Sequence, residues 1–159
     1  MSKVPFDAVV REHGPMVLRA CAAVLGPDHA EDAWSETFLA ALGAYPDLDS
    51  GANVEAWLVT IAHRKAIDHV RRAARQARPS AVVPERPATH YQPGGWEHDL
   101  WELLGELPRK QRLAVVYHHI AGLAHAEVAA IMGASPAAAR RASSDGIAAL
   151  RRHYTEEPS

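Results

Sequence analysis

The chain has 159 residues, 48% of them hydrophobic, and a formal net charge of −2 at pH 7. That length allows one medium domain or two small ones. The single cysteine, Cys21, excludes an internal disulfide, and no segment approaches the roughly 20 apolar residues of a membrane span. Nor is Met1-Ser2-Lys3 followed by the apolar run of a signal peptide, so none is expected.

The charge is unevenly spread. Residues 28–55 hold Asp28, Glu31, Asp32, Glu36, Asp47, Asp49 and Glu55 with no lysine or arginine. Residues 63–78 hold Arg64, Lys65, Arg71, Arg72, Arg75 and Arg78 against one carboxylate, Asp68. Such segregation suggests two different partner surfaces.

Alanine, leucine, arginine and glutamate favour helix, and nothing alternates like a strand. A first helix is expected over residues 5–25, with Phe6, Val9, Val10, His13, Val17, Cys21 and Val24 on one face and a kink at Gly14-Pro15. Cys21 lies among apolar neighbours and reads as buried filler. Asp28 is expected to cap a second helix, with Glu31 completing a capping box. Its inward stripe would be Ala33, Trp34, Thr37, Phe38, Ala41 and Leu42, leaving Asp32, Ser35 and Glu36 outside. Gly43 should close it, and 45–53 reads as a loop.

A third helix begins near Asn53, where Val54, Trp57, Leu58, Ile61 and Ala62 fit one face. Past Ala62 it turns basic. Arg64, Asp68, Arg71, Arg75 and Arg78 fall within a band of about 80°. Asp68 can pair with Arg64, Arg71 and Arg72, but one carboxylate cannot neutralise six cations, which points to phosphate. Residues 79–95 hold four prolines and read as a flexible linker.

Beyond the linker, Trp96, Leu100, Trp101, Leu103 and Leu104 mark a fourth helix, and 108–121 a fifth with Leu113, Val116, Tyr117 and Ile120 inward. Residues 124–132 form a short helix stopped by Gly133. Ser135-Pro136 then opens a last helix, since a serine hydroxyl accepts from first-turn amides and proline is tolerated at the first position. Helix, Gly-containing turn and helix make a helix-turn-helix pattern. Gly146 should cost the last helix about 1 kcal/mol relative to alanine. The face Ala139, Ser143, Ile147 and Leu150 looks thin, implying a weakly packed unit. Residues 154–159 read as a frayed tail. The fold class is therefore all-α, with two small helical domains and a linker.

Ten histidines invite a metal site, yet His118, His119 and His125 fit no HExxH or paired-cysteine pattern, so neither metal nor cofactor is expected. With no phosphate loop or nucleophile elbow, the chain does not read as an enzyme.

Two pattern sets carry a resemblance. One is A-E-D-A-W-S-E-T-F-L at 30–39 with E-A-W-L-V-T-I-A-H-R-K-A-I-D-H-V-R-R at 55–72. The other is L-P-R-K-Q-R at 107–112 with G-L-A-H-A-E-V-A-A-I-M-G-A-S-P at 122–136 and A-A-L-R-R at 148–152. Together they resemble the extracytoplasmic-function sigma factors of the sigma-70 family, over residues 5–153.

The resemblance implies a promoter-specificity subunit of RNA polymerase, located in the cytoplasm. Residues 1–78 would be sigma region 2 and 96–159 sigma region 4. Asp32, Ser35, Glu36 and Leu39 would dock on the polymerase clamp coiled coil. Tyr45, Asn53, Arg64, Lys65, Arg71 and Arg75 would hold the −10 element. Ser135, Ala137, Ala138, Arg140, Arg141, Ser144 and Asp145 would meet the −35 element, while region 4 also touches the polymerase flap. An anti-sigma factor is an implied partner. The chain departs from the family pattern at His63, Ala137-Ala138-Ala139, Ser143 and Asp145. Alternatives are a stand-alone helix-turn-helix repressor, or a sigma-like decoy that binds polymerase or an anti-sigma factor.

Overall fold

The computed structural model describes residues 3–76 and 95–156, all helices and connections. In chain order these are α1 (Phe6–Leu25), α2 (Glu31–Ala44), α3 (Val54–Gln76), α4 (Gly95–Glu106), α5 (Arg109–Val115), α6 (His125–Met132) and α7 (Pro136–Glu156). Two 3₁₀ turns, Pro27–His29 and Tyr45–Asp47, flank α2, and a π turn, Val116–Ile120, extends α5. No helix among the described residues is long and apolar enough to cross a membrane. The segment read as a linker lies almost wholly outside the described residues, as does Arg78.

Helices α1, α2 and α3 pack against one another. Val17, Ala20, Cys21, Ala33, Phe38, Ala41, Leu58, Val59 and Ala62 form the shared core. Burial pushes the Cys21 thiol up to about 12, so it is a packing group rather than a nucleophile. Pro15 sits inside α1 without ending it. The Trp34 indole donates to the Gly14 carbonyl at 2.9 Å and ties α2 to α1 there.

Four sequence expectations around α2 are corrected. Asp28 does not cap the helix, because Pro27 starts a separate 3₁₀ turn and Glu31 becomes the first residue of α2 rather than its third. Leu42 is not inward but 53% exposed, and α2 runs on through Gly43 to Ala44. Arg72 turns away from Asp68 to Glu36 on α2, 3.7 Å distant.

In the second half α7 packs along α5 and α6. Gly133, at φ 68°, occupies the left-handed region that lets α6 stop and the chain turn into α7. The Ser135 hydroxyl accepts from the Ala138 amide at 3.1 Å, as a helix cap should. Tyr117, Leu104 and Leu123 are the large fully buried side chains of this half. The helix of residues 154–156 continues where a frayed tail was expected.

Gly146 overturns the expectation of a thin, loose recognition helix. A Cβ there would lie 2.6 Å from Val115 Cγ2 and 3.3 Å from the Gln111 carbonyl. Small residues at Ala139, Ser143 and Gly146 bring α7 close to α5; the glycine is what the close approach requires, so its local helix penalty is not the deciding term.

The two halves touch. Arg112 of α5 donates through Nε to the Ala23 carbonyl at 2.5 Å, satisfying one of the orphan carbonyls that end α1. Tyr117 and His63 are hydrogen-bonded at 2.8 Å, with their rings edge to face. Asn53 Nδ2 donates to Glu127 Oε2 at 2.7 Å.

Candidate nucleic-acid and polymerase interface

On α2, Asp32, Ser35 and Leu39 are exposed, Leu39 at 70%. Such an exposed leucine between polar neighbours suits a docking surface. Glu36 differs from them. It is half-buried, and its carboxylate meets His69 Nε2 at 2.7 Å and Arg72 at 3.7 Å. Partial burial would raise its pKa, but the His69 hydrogen bond and the charges of His69, Arg72 and Lys65 outweigh this and hold it below its ordinary value.

The basic side of α3 forms one wall of a groove. A groove of about 780 Å³ between α2 and α3 is lined by Glu36, Leu39 and Ala40 on one wall and by Lys65, Asp68, Arg71, Arg72 and Arg75 on the other. Arg64, Arg71 and Arg75 are exposed, and Lys65 is half-buried. Of the acidic segment, Glu36 thus adjoins the basic side of α3 across this groove.

Tyr45 is built into the fold. Its hydroxyl donates to the Val4 carbonyl, and its ring lies 5.3 Å from Phe6 and 6.3 Å from Trp57. Lys3 donates to the Tyr45 and Pro46 carbonyls at 2.6 and 3.1 Å and sits 5.0 Å over the same ring. Asn53 caps α3: its Oδ1 accepts from the Ala56 amide at 3.1 Å while its Nδ2 donates to Glu127. Glu127 in turn accepts from the Ala124 amide at 3.1 Å at the start of α6. The roles of Lys3 and Glu127 are not evident from the sequence alone. Only a glutamate three residues past Ala124, a helix-start signal, hints at the second.

On α7, Ala137, Ala138, Arg140, Arg141, Ser144 and Asp145 are exposed, as is Ser135 just before it, while Ala139, Ser143, Gly146 and Leu150 are buried. The outer face is therefore the one the pattern indicates. No ion pair joins Arg141 and Asp145 among the described residues. The first half of the helix presents two arginines and few bulky groups, a shape that enters a DNA groove.

Comparison with known proteins places this geometry. Residues 9–76 match the family described as Sigma-70 region 2, and residues 97–150 match Sigma-70, region 4. The chain is 33% identical over 165 residues to the ECF RNA polymerase sigma factor ShbA of Streptomyces griseus subsp. griseus, covering 91% of this chain and 84% of that one. It is 30% identical over 137 residues to the probable RNA polymerase sigma-C factor of Mycobacterium bovis, covering 80% of this chain and 71% of that one. The solved structure of CnrH in complex with the cytosolic domain of CnrY is similar at 26% identity and a TM-score of 0.68, covering 96% of this chain and 89% of that one.

The chain belongs to the extracytoplasmic-function sigma factors of the sigma-70 family. It is a factor that directs RNA polymerase to promoters.

Proposed function

We propose a division of labour within this sigma factor. Residues 1–78 bind the polymerase clamp coiled coil through Asp32, Ser35, Glu36 and Leu39. They hold the −10 element through Asn53, Arg64, Lys65, Arg71 and Arg75, with Tyr45 shaping the loop beside it. Residues 79–95 connect them to residues 96–159, which touch the flap and read the −35 element. The chain works in the cytoplasm and performs no catalysis of its own.

The observation that carries this reading is the outer face of α7. Arg141 stands exposed near its centre, paired with no carboxylate among the described residues, and Ser135 fixes where the helix begins. An arginine so placed can bond guanine O6 and N7 together, worth roughly 1–3 kcal/mol of discrimination. Arg140 projects about 100° away and is placed for backbone phosphate. The structure of CnrH in complex with the cytosolic domain of CnrY supports a further protein partner here, for which an anti-sigma factor is our reading.

The test is a selection on randomised −35 elements with reconstituted holoenzyme. Arg141→Ala should relax the preference at one base pair, while Arg140→Ala weakens binding across sequences. An unchanged preferred motif for Arg141→Ala removes the base-reading role.

A further inference from the structure

Three histidines that match no metal pattern meet at one place beside the recognition helix. The π turn carries His118 and His119, and α6 begins at His125. The rings of His118 and His125 stack at 3.8 Å, and those of His118 and His119 meet edge to face at 4.7 Å. His118 Nδ1 donates to the Leu123 carbonyl at 2.7 Å, which leaves its Nε2 without that proton in the neutral ring. His119 Nε2 and the Ser143 hydroxyl are 3.2 Å apart. The buried Nδ1 of His125 has no hydrogen-bond partner.

These rings line a notch of about 320 Å³, closed on the other side by Ser143, Ser144, Ile147, Ala148 and Arg151 of α7. Arg140 of α7 adds its charge next to His125. Among the described residues no carboxylate lines the notch. Glu127, the nearest in sequence, is turned to Asn53 and to the Ala124 amide. Among the described residues no group of three His, Cys, Asp or Glu is arranged to hold a metal ion. What remains is a set of ring nitrogens and serine hydroxyls beside Arg151, with the charge of Arg140 acting on His125, at the positive end of α6, which is the chemistry of an anion site once a ring is protonated.

Its position names the anion. Ser144, Ala148 and Arg151 share the outer side of α7 with Ala137 and Arg141. In a helix-turn-helix the first helix crosses the DNA backbone while the second enters the groove. A phosphate beside the groove that α7 occupies would therefore face the start of α6.

We propose that the notch between the π turn, the start of α6 and α7 seats one backbone phosphate of the −35 duplex, and that seating it takes up a proton on the histidine cluster. This rests on the reading of α7 as the −35 helix. Burial, and then the charge of His118, hold His119 below its ordinary pKa; burial, His118, Arg140 and His119 do the same for His125. Without an anion His119 and His125 favour the neutral ring near pH 7. A phosphate offsets the repulsion from Arg140 and favours the imidazolium. Affinity for duplex then rises as pH falls, by up to about tenfold per pH unit for each proton taken up.

The test measures anisotropy of a fluorescein-labelled mixed-sequence duplex with full-length protein bound to core polymerase, at about pH 7.5 and about pH 6. Wild type should tighten about three- to tenfold on acidification, and the double variant His119→Gln, His125→Asn less than about twofold. A matching circular-dichroism spectrum shows that the variant is folded; His119→Gln alone, at an exposed position, serves as the second variant and should lose part of the effect. Equal pH dependence in wild type and both variants overturns the proposal and leaves the −35 reading intact. Absence of duplex binding at either pH overturns that reading and the proposal together. Inorganic phosphate that shifts the His119 and His125 ring resonances while duplex binding stays independent of pH assigns the notch to free phosphate and overturns the DNA assignment.

Discussion

Asn53 and Glu127 hold each other across the two halves of the chain, amide nitrogen to carboxylate oxygen at 2.7 Å. Each also caps its own helix, Asn53 at the start of α3 and Glu127 at the start of α6. Both ends of the Asn53 amide are therefore occupied. If it is to meet a base of melted DNA, region 4 must first move off region 2. The pair is exposed and contributes on the order of 1 kcal/mol or less, so it can yield when the holoenzyme assembles. Asn53→Ala should impair promoter opening more than closed-complex formation, and permanganate footprints equal to wild type would remove its role.

Gly146→Ala should destabilise the protein, although the same change stabilises an exposed helix by about 1 kcal/mol. The added methyl meets Val115, which is stiff and buried, and approaches the Gln111 carbonyl. Overpacking of this sort costs about 1–3 kcal/mol. Adding Val115→Ala should recover part of the loss, a coupling that a double-mutant cycle in urea reads directly.

Much of the fold was legible because its signals are local. Apolar periodicity, Gly133 and Ser135-Pro136 mark helix faces and ends whatever their neighbours do. The failures lie where a distant element decides. Gly146 read as a defect because only α5 explains it. Glu36 read as a free outward carboxylate because His69 and Arg72 come from another helix. His63 read as a departure from a pattern, and its partner Tyr117 lies 54 positions away.

Glu36 changes how the core-binding surface should be tested. Reversing it would place an arginine against His69, Arg72 and Lys65 and disturb the fold. Asp32 and Leu39 have no such ties among the described residues. Asp32→Arg with Leu39→Arg should weaken binding to core polymerase at least tenfold, a loss of about 1.4 kcal/mol, with little change in thermal melting. Unchanged affinity would remove α2 from that surface.

The fold should lose stability on acidification in a phosphate-free buffer. Burial first, and then the charges of Arg109 and Arg64, hold His63 below its ordinary pKa, and His119 and His125 shift the same way. A histidine harder to protonate in the native state contributes stability above its unfolded pKa, near 6.5, that is lost as pH falls through that value toward the folded one. Glu36, also lowered, adds a loss further down, below its ordinary value of 4.5. Urea unfolding from about pH 7.5 to about pH 5.5 should show a falling midpoint, reduced in His63→Gln. A midpoint that rises over this range would contradict the sign.

Arg71→Ala with Arg75→Ala should lower affinity for all promoters alike and flatten the salt dependence by up to about 2 in slope, if these side chains meet phosphate. They share a groove with Glu36 and Leu39, so affinity for core should be measured in parallel. A deficit confined to core binding would place them on the protein side of the groove.

The most direct measurement adds the full-length protein to sigma-free core polymerase, transcribes sheared genomic DNA of the source organism, and maps RNA 5′ ends. A promoter-specificity subunit should create start sites absent with core alone, sharing one −35 and one −10 motif at fixed spacing. Start sites identical to those of core alone, with the protein demonstrably bound to polymerase, would contradict the account.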